Sequence, residues 1–569
     1  MRKFQIPLVA AATALATVSG VLTAPPLLAA TPDITVDTVS SYQTIDGFGA
    51  ATPIFGGSGS PWTTSETQTL VGTGPGQLGL SIIRTVVSPV SSEWGLYASS
   101  LQTAKSYGSD VRILASPWTA PANFKTSNSR VNGGKLRTDY YDDYANHLYG
   151  YVQYMKTQGV TIDVTSVQNE PDWHPDYDSM DWTGTELRDW VRDQGAKVRD
   201  TRLMVGESLR FNRAYSDPTL QDATARDNIG YVGGHLYDAE NSGNLSAYPL
   251  ATQYGKNQWM TEWNLHAADG NGSNIWGNPS NATVWNETLD DVMRTVHRSM
   301  ESGWSAYIWW YGRRFYSFIG DGDAQYGTTK GAVLRRGQAF SQYSKYVRPG
   351  DRRVAVSKSS RTSSLEVTAY RGRGKTTLVI LNRSNNAVNN AVIQTPQSIS
   401  TAEHTVTSQT LGAATQPATV SDGQATVTIP ARSISTLTVN DGPAPTVPPT
   451  NPPTTPPTVP PTNPPTGTCQ VTNSVSAWNT GLVDNITITN TGTSAIIGWS
   501  LSFTLASGQT ITSGWNATYS PTSAQVTATN VSHNASIPPG GSTTIGFQAS
   551  HSGNSAAPRG FTLNGAACG

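Results

Sequence analysis

Between Ile45 and Val347, short apolar runs alternate with stretches whose apolar residues recur every three or four positions. Eight runs can be counted, opening at Ile45, Leu80, Val111, Ile162, Arg202, Ile229, Gln258 and Ala306. Between the third and the fourth, Tyr141, Tyr144, Leu148, Val152 and Met155 mark one face of a helix that Gly159 ends. A strand followed by a helix, repeated eight times, predicts a (β/α)8 barrel over residues 47–348, with an open doubly wound sheet as the alternative. After Arg348-Pro349-Gly350 the apolar period shortens to two, in RVAVSKS, LEVTAYRG, TTLVILNRS, ATVTIPA and ISTLTVN. This predicts a side β-sandwich over 349–441, to which ITVDTV, within 31–46, contributes a strand. Residues 442–468 are almost wholly Pro and Thr, with TVPPTNPPT at Thr446 and again at Thr458. Such a segment cannot bury a core and reads as a semi-rigid polyproline linker of about 3.1 Å per residue. The last hundred residues, 469–568, are again all-β in pattern and form a separate sandwich module.

The N-terminus runs Arg2, Lys3, an apolar stretch from Ile6 to about Val21, then small residues to Ala29 and Ala30. That order predicts a secretory signal over 1–30, too short to serve comfortably as a span, and an extracellular product. No later segment reads as a membrane helix. In an exported chain the only two cysteines, Cys469 and Cys568, are expected to pair. A net charge of -1 with 14% charged residues excludes nucleic acid as the main partner. Trp (16) and Tyr (23) outnumber Phe (11), so the rings lean toward those that stack and also hydrogen-bond, which suits a neutral sugar ligand. No cofactor, metal or partner chain is called for, and a monomer is expected.

In such a barrel, catalytic groups come from the C-terminal ends of strands. The fourth run ends VQNEPDW, placing Asn169 and Glu170 at the rim, and the seventh ends WMTEWN, placing Glu262 there. Two carboxyl groups facing each other across the mouth are what glycosidic hydrolysis needs, about 5 to 5.5 Å apart for retention of configuration. Glu207, ending the fifth run, lacks the Asn and Trp neighbours and reads as supporting. Trp118, Trp173, Tyr177, Tyr237, Trp310 and Tyr311 fall at or just past strand ends and read as stacking platforms for pyranose faces. GPGQLG at Gly74 precedes a strand and reads as a turn, not a dinucleotide loop; no G-x-S-x-G elbow occurs. DGNGSN at Asp269 lacks the distal Glu of a calcium loop, and His235 and His266 lack metal-ligand spacing.

Together, QTIDGFG at Gln43, SPW at Ser116, VQNEPD at Val167, GGHLY at Gly233, WMTE at Trp259, YIWWYGRR at Tyr307 and KYVRPG at Lys345 resemble glycoside hydrolase family 30, in particular its bacterial glucuronoxylanase subgroup. The resemblance implies a retaining endo-xylanase acting on glucuronoxylan, with Glu170 as acid/base and Glu262 as nucleophile, the alternatives being a branch-independent xylanase or xylobiohydrolase, or another β-glycan hydrolase. It also implies that Arg314 and Tyr316 read a methylglucuronate branch, although Asn264 stands where the subgroup has a second Tyr. CQVTNSVSAWNTG, GWSLSFTL, SGWNATYS and IPPGGSTTIGFQASHSGNSAAP, between Cys469 and Cys568, resemble carbohydrate-binding module family 2. That implies cellulose binding through Trp478 and Trp515, with His533 in place of a third Trp and Trp499 in the core.

Overall fold

The computed structural model describes residues 31–54, 60–108, 110–238, 243–267, 274–441, 469–531 and 534–568. The expected signal (1–30), the linker (442–468), His533 and nearly all of DGNGSN lie outside the described residues. The chain divides into two compact units between Pro448 and Pro449.

In the first unit, strand β1 (Ile34–Thr44) precedes eight strands that close into a parallel barrel. These are β2 (Gly47–Ala51), β3 (Ile82–Val86), β4 (Arg112–Ser116), β5 (Val164–Ser166), β6 (Arg202–Ser208), β7 (Ile229–His235), β8 (Asn257–Glu262) and β9 (Ala306–Trp309). All eight apolar runs supply one strand each. The runs are apolar on both faces because both are buried. Ile82, Leu114, Val164, Met204, Trp259 and Ile308 fill the barrel, while Ile83, Ile113, Val205, Val232 and Met260 pack outward in the main core with the helices. At the N-terminal end of the barrel, buried Asp46 accepts from Asn257 Nδ2 (2.6 Å) and Trp259 Nε1 (2.8 Å).

The predicted amphipathic helix spans Tyr141–Thr157 and buries Tyr144, Leu148, Val152 and Met155; Gly159 beyond it has φ +72°. The helix Gly184–Gln194 starts in a capping box, with Thr183 and Glu186 each accepting from the other's backbone.

The side domain is one sheet of ten strands that folds around a core including Ile34, Val36, Leu378, Ile380, Ile393 and Leu437. As the ITVDTV pattern predicts, β1 joins it, antiparallel to β10 (Arg352–Lys358) and parallel to Val388–Gln394. Arg432 holds this sheet to the barrel by pairing with Asp290 at 2.6 Å, and its carbonyl accepts from Trp285 Nε1.

The second unit is a sandwich of a four-stranded and a five-stranded sheet around Leu482, Ile486, Trp499, Leu501, Phe503 and Phe547. Cys469 and Cys568 are joined by a disulfide, as expected. Among the described residues, no helix is long and apolar enough to cross a membrane.

Candidate active site

Five strands deliver polar groups to one end of the barrel: Arg84 from β3, Asn169 and Glu170 just past β5, Glu207 from β6, His235 from β7 and Glu262 from β8. Pairing irregularities aim them. The register slips between Gly206 and Ser208, leaving Glu207 as an extra residue, and again between β7 and β8, so that Glu262 comes opposite His235. Glu170, Glu207 and Tyr311 have positive φ (+44°, +38° and +58°), a left-handed backbone that costs a residue with a Cβ about 1 to 3 kcal/mol. Hydrogen bonds hold that strain in place: the Glu170 amide donates to the Glu207 carbonyl (2.9 Å), and the Tyr311 hydroxyl to the Ile54 carbonyl (2.6 Å).

Arg84 is the hub of the cluster. Fully buried, it donates to Glu262 Oε2 (2.6 Å), Asn169 Oδ1 (2.6 Å), Glu207 Oε1 (3.1 Å) and Ser116 Oγ (3.3 Å), with its guanidinium 4.7 Å from the Trp118 ring centre. Glu262 Oε1 accepts from the Tyr237 hydroxyl (2.9 Å), which itself accepts from Asn264 Nδ2 (3.0 Å). Glu170 Oε1 lies 2.9 Å from His235 Nδ1, while His235 Nε2 faces Glu207 at 3.8 Å and Glu262 at 3.9 Å. One carboxylate oxygen of Glu170, one of Glu262 and a ring nitrogen of His235 all lie within 4.8 Å of one another.

The electrostatics follow from burial and from these neighbours. Burial by itself raises the Glu207 carboxyl, but the charges of Arg84 and His235 outweigh it and bring the group to about 2. Burial by itself lowers His235, yet the Glu262 charge, the hydrogen bond to Glu170 and the nearby Glu207 carboxylate carry it to about 9, so the ring is protonated at neutral pH. Glu262 is raised, first by burial and also by the facing Glu170 carboxylate, against the pull of His235 and Arg84. A carboxylate, imidazole and carboxylate at this spacing could also ligate a metal, but Arg84 and protonated His235 already supply two positive charges here. The cluster is built for acid–base chemistry.

Above it lies a cleft of about 760 Å³ whose lining includes Trp118, Glu170, Trp173, Tyr177, Tyr237 and Glu262, with Trp310 and Tyr311. Trp310 stacks on Tyr311 (centroids 4.1 Å apart) and lies 5.9 Å from Trp118, while Trp173 and Tyr177 stand 44% exposed at the edge. All six aromatic residues taken from the sequence as platforms therefore line one space. Asn169 is buried beneath it, on Arg84.

Arg314 and Tyr316 are not brought to the lining. Arg314 pairs with Asp321 at 3.3 Å, and Tyr316, 6% exposed, stacks on His266 at 4.8 Å. Sequence reasoning missed Arg84 and the role of His235. An arginine inside LSIIRTVV, a strand buried on both faces, has to be paired, and that was the available signal. The cleft's other charged residues, Arg130, Asp178, Arg210 and Asp238, come from rim loops whose course no spacing reveals.

In the C-terminal unit, Trp478 and Trp515 are 47% and 38% exposed, on the two edge strands of the four-stranded sheet. Each ring lies flat on the sheet over a cross-strand glycine, Gly481 and Gly546, where a Cβ would come within 2.6 and 2.3 Å of the indole. Trp499 is buried, its Nε1 donating to the Asn534 carbonyl (2.8 Å).

A closed barrel whose carboxylates face each other beneath an aromatic cleft defines a carbohydrate-active enzyme, and comparison with known proteins gives the family. Residues 91–292 match the glycosyl hydrolase family 30 TIM-barrel domain, and residues 469–568 match the cellulose binding domain family. The glucuronoxylanase XynC of Bacillus subtilis strain 168 is 32% identical over 421 residues, covering 72% of this chain and 92% of that protein. The crystal structure of the family 30 subfamily 8 xylanase Xyn30A from Clostridium acetobutylicum superposes with a TM-score of 0.61 at 29% identity, covering 72% of this chain and 99% of that one. The last module is 46% identical over 102 residues to exoglucanase B of Cellulomonas fimi, 18% of this chain but only 9% of that protein. The chain belongs to glycosyl hydrolase family 30 and is a glycoside hydrolase carrying a C-terminal module of the cellulose binding domain family.

Proposed function

We propose that the enzyme is a secreted, retaining endo-xylanase that cleaves the β-1,4-xylan backbone, glucuronoxylan included, with Glu262 as nucleophile and Glu170 as acid/base. The observation that carries the reading is the approach of the two carboxyl groups, with oxygens within 4.8 Å, at the floor of an aromatic cleft. That separation is in keeping with the about 5 to 5.5 Å of retaining enzymes and short of the about 6.5 to 9.5 Å with which inverting enzymes seat a water beside the sugar.

Glu262 is the nucleophile because both its oxygens are held by donors, Arg84 and Tyr237, that stabilise and aim the carboxylate. Glu170 has one oxygen on His235 and keeps the other for the proton. In the first step a Glu262 oxygen bonds to the anomeric carbon, the glycosidic C–O bond breaks, and the departing oxygen takes the Glu170 proton. In the second, Glu170 removes a proton from water as that water attacks the same carbon and releases Glu262. Xylan as the substrate rests on the names of the similar glucuronoxylanase and xylanase.

Arg314, already paired with Asp321 and outside the cleft lining, favours a xylanase that does not require the uronate branch. The C-terminal module holds the enzyme on cellulose through the flat rings of Trp478 and Trp515. The test is product analysis on glucuronoxylan and on linear xylooligosaccharides, with Glu262→Gln as control. Release of reducing sugar by the wild type but not by the variant is expected, with Arg314→Ala lowering activity equally on both substrates. A protein that binds xylan without releasing reducing ends refutes hydrolysis, and products of inverted anomeric configuration refute the mechanism.

A further inference from the structure

Beside the cleft lies a second cavity of about 220 Å³ that shares two of its lining residues, Arg130 and Asp178, with the cleft. Its apolar side includes Ile54, Val86, Trp94 and Leu96. Ile54 and Val86 pack with Trp118, Trp310 and Tyr311, so this cavity flanks the aromatic floor of the cleft itself. At about 30 Å³ per water, the space equals about seven waters, room for one sugar ring and not for two.

The charges at its border select the kind of ring. Glu93 and Asp178 contribute two carboxylates against the single guanidinium of Arg130. Arg130 is already engaged by Asp178 at 2.6 Å, and Ser88 Oγ donates to Glu93 at 2.5 Å. A carboxylate-bearing substituent entering here would meet uncompensated negative charge. A neutral one would find carboxylate acceptors for its hydroxyls and an apolar wall for its C–H face.

We propose that this cavity is a binding site for a neutral, single-sugar substituent on the polysaccharide chain lying in the cleft, such as one pentosyl branch on a xylan backbone. The inference rests on the xylanase reading above and adds a specificity site to it. Leu96 is the point of attack, because it is 56% exposed, lines the cavity and makes no part of the catalytic cluster.

The experiment measures kcat/KM of the full chain on linear xylohexaose and on xylooligosaccharides carrying single arabinosyl branches, with branch positions in the products mapped by mass spectrometry. Leu96→Trp, which fills the cavity, is expected to lower kcat/KM on the branched substrate at least tenfold while leaving the linear one within twofold. Glu93→Lys, which reverses the charge, is expected to raise activity on uronate-branched oligosaccharides relative to arabinosyl-branched ones. Equal effects of Leu96→Trp on linear and branched chains, or no effect on either, overturn the site while leaving the xylanase intact. A wild type inactive on linear xylohexaose overturns the xylanase reading and the site with it.

Discussion

Replacing Arg84 by Met removes a side chain that hydrogen-bonds both Glu262 and Glu207 while keeping much of its apolar bulk. The side chain is fully buried and makes four hydrogen bonds, two of them to carboxylates. Breaking a buried ion pair by deleting one partner costs about 3 to 5 kcal/mol, because the remaining charge stays desolvated. Glu207 points the same way: against the burial that raises it, its carboxyl falls from its ordinary 4.5 to about 2 under the charges of Arg84 and His235. That lowering corresponds to about 3 kcal/mol at neutral pH for the two cations together. The sign is that of a depressed carboxyl: the stabilisation is full above about pH 4.5 and is lost as pH falls toward 2. Arg84→Met should therefore lower the stability of the first unit by about 3 kcal/mol at pH 7 and by clearly less near pH 4, where protonation relieves the stranded carboxylates. Glu262, freed from its cation, should titrate higher still, so that the acid limb of the pH–rate profile moves to higher pH. Thermal unfolding at pH 4 and 7, together with kcat/KM on xylan across pH, measures both effects. A variant with unchanged melting temperature, or one whose stability loss is the same at both pH values, would refute the charge accounting.

Other expectations follow from the same contacts. His235 is raised to about 9, so its contribution to stability is complete below its ordinary 6.5 and is lost as pH rises through about 9; wild-type melting temperature and activity should fall across that range, and His235→Asn should flatten the slope. Glu170→Ala should slow substrates with poor leaving groups by orders of magnitude more than aryl glycosides with good ones, read from kcat/KM on matched pairs, since only the former need its proton. Trp515→Ala, which strips one of two flat rings from the module, should sharply weaken pull-down of the full chain onto cellulose and leave hydrolysis of soluble xylan within twofold.

Much of this protein is legible in its sequence. The barrel can be read because a strand covered on both faces needs an uninterrupted apolar run, and eight such runs separated by helical periods leave few other architectures. Glu170 and Glu262 can be picked out because acidic residues at or just past the C-terminal ends of barrel strands fall at the shared mouth. The contribution of β1 to a sheet built mostly from strands beyond residue 350 was visible in its alternation, although its partners were not.

Tertiary structure decided the rest, because those features depend on distances across elements that sequence spacing does not encode. Arg84 and Glu262, 178 positions apart, meet only once the barrel closes; a register slip invisible in GGHLY sets His235 opposite Glu262, and His235 meets Glu170 only across the barrel mouth. Arg314 sits beside Tyr316 in sequence, yet loop geometry commits it to Asp321. The flat seats of Trp478 and Trp515 depend on glycines that pairing brings beneath them, and only for Gly481 does the neighbour lie close by in the chain.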